Sequence, residues 1–168
     1  MREEDLNRIM EYKNNDPFIR IFDFLRFCLK EEAQEPASLE DMDWDELYAF
    51  GNKQAILGVL FHGIKKLSDS PHRPNKQQIL KWYAACSFIE QANRQAYKDA
   101  SALTTLLQEK YGVHGCVLKG QTNALMYPDP YMRTSGDIDL WTDAKVLDVI
   151  RFSRLLDNKG EIGYHHIE

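Results

Sequence analysis

The sequence predicts an α+β protein: a helical lobe over residues 1–111, then a smaller strand-and-helix segment over 112–168. Three observations carry that expectation. Apolar residues recur at helical spacing from Phe18 to Leu107. After Gly112 the pattern changes to two short apolar runs, V-H-G-C-V-L at 113–118 and D-I-D-L-W-T at 137–142. Between those runs stand a short helical stretch and a loop rich in Pro, Asp and Gly, and a further helical pattern follows the second run.

The elements follow in order. Leu6, Ile9 and Met10 mark a short amphipathic helix over 4–13, broken by Asn14-Asn15. Asp16-Pro17 has the form of an N-cap followed by proline at the first helical position, and Phe18, Ile21, Phe22, Leu25, Cys28 and Leu29 make the apolar face of the next helix. Asp43-Trp44-Asp45-Glu46 has capping-box form and opens a helix through Leu47, Tyr48 and Phe50, with Gly51-Asn52 as its candidate interruption. Ile56, Leu57, Leu60, Ile64 and Leu67 mark another helix, on which His62 is expected to be a hydrogen-bonded structural residue. The stretch S-D-S-P-H-R-P-N at 68–75 is the clearest loop. Asn75 then caps a pattern that keeps one face apolar to about Tyr111, with Asn93 as its candidate kink; unbroken, such a helix is about 50 Å long. Gly112 is its stop.

Beyond it, 113–118 reads as a buried strand, 120–127 as a short helix ended by Pro128, and 137–142 as a second strand brought beside the first by a right-handed crossover. Asp143 is the expected cap of a helix through Val146, Leu147, Ile150 and Leu156, and a third strand is expected over 162–168.

Composition narrows the classes. With 168 residues, 43% hydrophobic and 28% charged, the chain is large enough to bury a core. A formal net charge of −5 argues against extended nucleic-acid binding through phosphates, yet permits a nucleotide held by a few local groups. No apolar run reaches the roughly 18–20 residues that span a membrane. The start M-R-E-E-D-L is too polar for a signal peptide, and a cytoplasmic protein is expected. Cys28, Cys86 and Cys116 are odd in number, lie in apolar contexts and lack zinc-ligand spacing; buried free thiols are expected.

The chemistry concentrates in 117–141. In a strand, Asp137 and Asp139 would point the same way while Ile138 and Leu140 face the core. Two carboxylates on one face repel, and a divalent cation such as Mg²⁺, which takes oxygen ligands, relieves that. Lys119-Gly120 after a strand offers a point charge and a backbone that a phosphate can approach. Arg133 can neutralise a carboxylate or clamp a phosphate, and Ser135-Gly136 adds a hydroxyl and a flexible joint. A P-loop is excluded on this stretch, since no G-x-x-x-x-G-K-[ST] element is present. A glycosyltransferase, which also pairs Asp-x-Asp with a metal, needs parallel strands upstream where this chain has helices.

The order V-L-K-G…L-M-Y-P…R-T-S-G-D-I-D-L resembles a family of uncharacterised bacterial nucleotidyltransferases within the DNA polymerase β-like superfamily. The resemblance implies a small mixed sheet with flanking helices and metal-dependent transfer of a nucleoside monophosphate from an NTP to an acceptor it does not name. It makes Asp137 and Asp139 the catalytic carboxylates and ligands of Mg²⁺ (or Mn²⁺). Lys119, Gly120, Gln121, Arg133 and Ser135 become candidate nucleotide-binding residues. The superfamily also uses a third carboxylate on a later strand. Only Glu161 and Glu168 follow on a suitable element, so that acid is expected beyond residue 168 or is absent. Its absence would favour a second reading, a non-catalytic module on the same fold that binds a nucleotide or a partner protein.

Overall fold

The computed structural model describes residues 17–31, 34–134 and 136–155. The helix expected over 4–13, the Asp16 cap, Ser135 and the strand expected over 162–168 lie outside them.

Four helices form the larger part: α1 (Pro17–Leu29), α2 (Trp44–Lys53), α3 (Leu57–Lys66) and α4 (Lys76–Tyr111). Their core holds Phe24, Cys28, Leu47, Leu60 and Trp82, all at 1% exposure or less. Edge-on aromatic contacts, Phe24 to Trp44 at 5.4 Å and Tyr48 to Trp82 at 5.1 Å, join α1, α2 and α4 around it.

The buried face of α1 differs in part from the one expected. Ile21, Phe24, Phe27 and Cys28 are buried, whereas Phe18, Phe22 and Leu29 are exposed. Both sets fit helical spacing, and the partner helix decides between them. A β-carbon at Gly63 of α3 would stand 2.2 Å from Cys28 Sγ and 3.1 Å from Phe24 Cζ, so α1 lies against α3 along that glycine. Gly51 has a similar role within α2, which it does not interrupt. A β-carbon there would meet Leu60 Cδ1 at 2.6 Å, and the chain turns only at Ala55, where φ is 57°.

Asp43 and Asn75 cap α2 and α4, but the capping box expected at Asp43–Glu46 is half formed, with the Asp43 side chain bonded and no return bond from Glu46 among the described residues. Asp43 Oδ1 accepts from Asp45 N and Glu46 N at 2.9 and 3.0 Å. Asn75 and Gln78 form a reciprocal capping box at the start of α4. That helix runs 36 residues without a break at Asn93 and ends on Gly112 at φ 65°.

Strands β1 (Gly115–Leu118) and β2 (Asp139–Thr142) pair antiparallel, with Leu118 opposite Asp139 and Cys116 opposite Trp141. The expected crossover would have made them parallel. The connection is long enough for one, but its only α-helix among the described residues is the five-residue α5 (Gly120–Ala124). The remainder docks on α3 and α4 through a 3-10 turn at Pro130–Met132, and the chain re-enters beside the end of β1. Both strands are shorter than expected. Beyond their far end His114 N donates to Asp143 Oδ1 at 2.9 Å, and Asp143 N donates to the His114 carbonyl at 3.1 Å. Asp143 therefore ties the strand ends together and does not cap α6 (Val146–Leu155). The ring of Phe152 on α6 packs 4.4 Å from that of Tyr111, anchoring this helix to the end of α4.

Only one face of the sheet is covered. Cys116 is exposed, contrary to the expectation of three buried thiols, because β1 has a solvent face that carries Cys116 and Leu118. Cys28 and Cys86 are buried, and burial pushes both thiols up to about 12.

Candidate functional site

The register brings two chain segments together at one end of the sheet. Asp139 opens β2 opposite Leu118, the last residue of β1, and Lys119 follows directly. The Lys119 ammonium lies 3.7 Å from Asp139 Oδ2, with the side chains 72% and 39% exposed. Lys119 has φ 48° and ψ −128°, a backbone region that residues bearing a β-carbon seldom occupy. Its carbonyl accepts from Thr122 N at 2.7 Å, Asn123 N at 3.0 Å and Thr122 Oγ1 at 2.5 Å, which closes the turn into α5.

Gly120 is buried, and a β-carbon on it would lie 3.7 Å from the Asp137 carbonyl oxygen. That is ordinary contact, so the glycine is not forced by sterics in this arrangement. The distance nevertheless shows the turn and the Asp-Ile-Asp segment side by side. Asp137 is exposed and precedes the strand, so strand alternation does not by itself set its direction.

Gln121 is 4% exposed, and its backbone carbonyl accepts from Tyr97 Oη at 2.8 Å. Both polar atoms of its side chain are buried without a hydrogen-bond partner. Burial pushes the Tyr97 phenol up, Tyr131 adds to that shift, and the nearby Arg133 charge opposes it. Arg133 is half-buried, and its Nη1 is likewise buried without a partner. Among the described residues Arg133 forms no ion pair with Asp137; Lys119 is the cation that meets the acidic segment.

Sequence reasoning missed Asn93. It is 2% exposed on α4, and the two hydrogens of its Nδ2 are shared among three carbonyls, Arg133 at 2.5 Å, Tyr131 at 2.7 Å and Ile89 at 3.1 Å. It thus ties the backbone of the loop at Tyr131 and Arg133 to α4. The signal was present as a lone amide in an apolar stripe. The same loop is braced by Tyr97 against Tyr131, rings 5.5 Å apart, and by Arg94 stacked 4.0 Å from the Tyr131 ring.

Two concavities lie away from the carboxylates. One of about 600 Å³ is lined by Arg94, Tyr97, Lys98, Ser101 and Tyr131. Another, of about 420 Å³, is lined by His62, Lys66, Met126 and Tyr127. The His62 ring makes no hydrogen bond among the described residues, contrary to expectation; burial first, then Lys66 and Lys65, hold its imidazole below the ordinary range. Asp137 and Asp139 instead stand on an open surface. Among the described residues no group of three or more His, Cys, Asp or Glu could hold a metal ion. Glu161 and Glu168 lie outside them. Aspartate oxygens are the donor type a hard cation takes, with one or two carboxylates and its remaining positions filled by water and substrate phosphates.

A small sheet with paired aspartates beside a lysine–glycine turn, set against a helical lobe, invites comparison with proteins that handle nucleotides. The model of an uncharacterised nucleotidyltransferase family matches residues 40–168, taking in α2, α3 and α4 as well as the sheet. The chain belongs to this nucleotidyltransferase family. No curated protein and no solved structure matches it. No described helix is long and apolar enough to cross a membrane.

Proposed function

We propose that the protein serves transfer of a nucleoside monophosphate from an NTP to an acceptor, with a divalent cation, Mg²⁺ or Mn²⁺, held by Asp137 and Asp139. One observation carries this reading. The Lys119-Gly120 turn and the Asp-Ile-Asp segment converge, with the Lys119 ammonium 3.7 Å from Asp139 and the Gly120 backbone beside the Asp137 carbonyl.

In this reading the carboxylates hold the cation, which supplies charge neutralisation at the phosphates. Lys119 is exposed enough to reach a triphosphate as a point charge. Arg133 Nη1 and the Gln121 amide are donors without protein acceptors, and a phosphate or ribose oxygen is the kind of partner each lacks. Ser135 stands one residue beyond Thr134 in the same connection and joins this group by sequence position.

The second reading, a module that binds a nucleotide or partner without catalysis, draws on the same surface. Its support is that among the described residues no group of three or more His, Cys, Asp or Glu could hold a metal ion, whereas catalysis calls for a further acid to activate an acceptor hydroxyl.

Calorimetry with Mg²⁺ and each of the four NTPs separates these outcomes from failure. Saturable binding by the wild type, abolished in the Asp137→Ala, Asp139→Ala double variant, supports the site. Equal binding by both proteins refutes it. Release of pyrophosphate on addition of candidate acceptors then favours the enzyme over the binding module.

A further inference from the structure

We propose that Lys119 is a coupling residue: its ammonium occupies Asp139 before metal and nucleotide arrive, then moves to the phosphates as the cation takes its place. The inference rests on the metal-site reading above and goes beyond it, because it predicts how metal and nucleotide binding depend on each other.

Two independent observations meet at this residue. The first is conformational. Lys119 is one of two non-glycine residues at positive φ among the described residues, at φ 48° and ψ −128°. Glycine adopts such backbone freely, whereas a β-carbon is crowded there. The turn itself needs only the Lys119 carbonyl, which accepts from Thr122 and Asn123. A glycine would supply that carbonyl equally well, so the lysine side chain is not there for the turn.

The second is electrostatic. The ammonium lies 3.7 Å from Asp139 Oδ2, beyond a short charge-assisted hydrogen bond, and is 72% exposed. This contact lowers the charge of the acidic segment without locking it. A flexible four-carbon stem allows the ammonium to leave.

A cation at Asp139 and the Lys119 ammonium compete for one oxygen. Metal alone must displace the ammonium into water. Metal with a triphosphate displaces it onto phosphate oxygens. Each ligand thereby improves the binding of the other, and the coupling is reciprocal. A lysine that only stabilised the turn would give no such signature, since loosening the turn weakens both events.

The test is Mn²⁺ binding followed by electron paramagnetic resonance, with and without ATP, GTP, CTP or UTP, on the full chain. The proteins compared are the wild type, Lys119→Gly, Lys119→Met, Lys119→Arg and the Asp137→Ala, Asp139→Ala pair. Lys119→Gly relieves the positive φ and is expected to melt no lower than the wild type, which guards against a variant that fails to fold. In the Gly and Met variants Mn²⁺ alone should bind about 2- to 5-fold more tightly, the range for loss of an exposed ion-pair competitor. The gain in Mn²⁺ affinity on adding nucleotide should fall about tenfold or more, as when a charged donor to the ligand is removed. Lys119→Arg should keep most of the coupling.

Weaker or unchanged Mn²⁺ binding in both Gly and Met variants overturns the proposal, as does coupling equal to wild type. If the wild type binds Mn²⁺ no better than the double aspartate variant, the metal site itself is wrong and this inference falls with it. If the aspartate variant loses Mn²⁺ while the Lys119 variants match the wild type, only the coupling role is wrong.

Discussion

Asn93→Leu is the most direct way to detach the Arg133 loop from the helical lobe. Leucine keeps the number and branching of the side-chain heavy atoms in a site that is 2% exposed, so no cavity opens, although its methyls are bulkier than the amide and add some overpacking. The donor is lost, however, and the Tyr131 and Arg133 carbonyls, now satisfied at 2.7 and 2.5 Å, face an apolar side chain. An unmade bond to a buried polar group costs about 1–3 kcal/mol, so the pair costs about 2–5 kcal/mol unless the loop swings out to water. For a chain of this size that lowers the melting temperature by about 4–20 °C, at about 2–4 °C per kcal/mol. If the loop does swing out, the stability loss shrinks and the cost appears as weaker nucleotide binding, because Arg133 and the segment leading to Asp137 move with it. The assay is a thermal melt paired with Mg²⁺–NTP calorimetry on one preparation. Asn93→Asp sharpens it by pointing carboxylate oxygens at carbonyl oxygens, and should be worse than leucine on both readouts. A leucine variant within 1 °C of wild type, with nucleotide affinity unchanged, would falsify the assignment of Asn93 as the clamp on this loop.

Two further outcomes follow from packing and burial. Gly58→Ala on α3 would set a β-carbon 2.0 Å from the Met132 carbonyl oxygen and 2.8 Å from its carbonyl carbon. Backbone cannot rotate away, so overpacking of about 1–3 kcal/mol should outweigh the helix-propensity gain of about 1 kcal/mol; an unchanged or raised melting temperature with intact nucleotide binding would contradict the contact. Cys116 should be the sole thiol modified quickly by iodoacetamide near pH 8, because burial holds Cys28 and Cys86 as thiols with values pushed up to about 12. Peptide mass mapping of the native protein checks this, and early alkylation at Cys28 or Cys86 would show that the core opens.

What the sequence discloses and what it withholds divide along one physical line. Local signals were legible: Asp43 and Asn75 accept backbone N–H groups as caps, Gly112 ends α4 at positive φ, and the change of period after it marks the sheet. Each of these depends on residues a few positions apart. Contacts between distant segments were not legible. The 21/24/28 face of α1 was chosen by the absence of a side chain at Gly63, and the antiparallel pairing by the docking of the Pro130–Met132 turn on α3 and α4. The candidate site shows the same division. The motif named Lys119, Gly120, Asp137 and Asp139, but strand alternation was asked to aim Asp137, which lies outside β2. Position in the motif left Arg133 two roles, neutralising a carboxylate or clamping a phosphate; among the described residues it is Lys119 that meets Asp139, and Asn93 holds the Arg133 backbone to α4. A motif carries the chemistry of its residues; which cation faces which carboxylate is set by whatever clamps the loop between them. Here that clamp is an amide some forty residues upstream of the motif it positions.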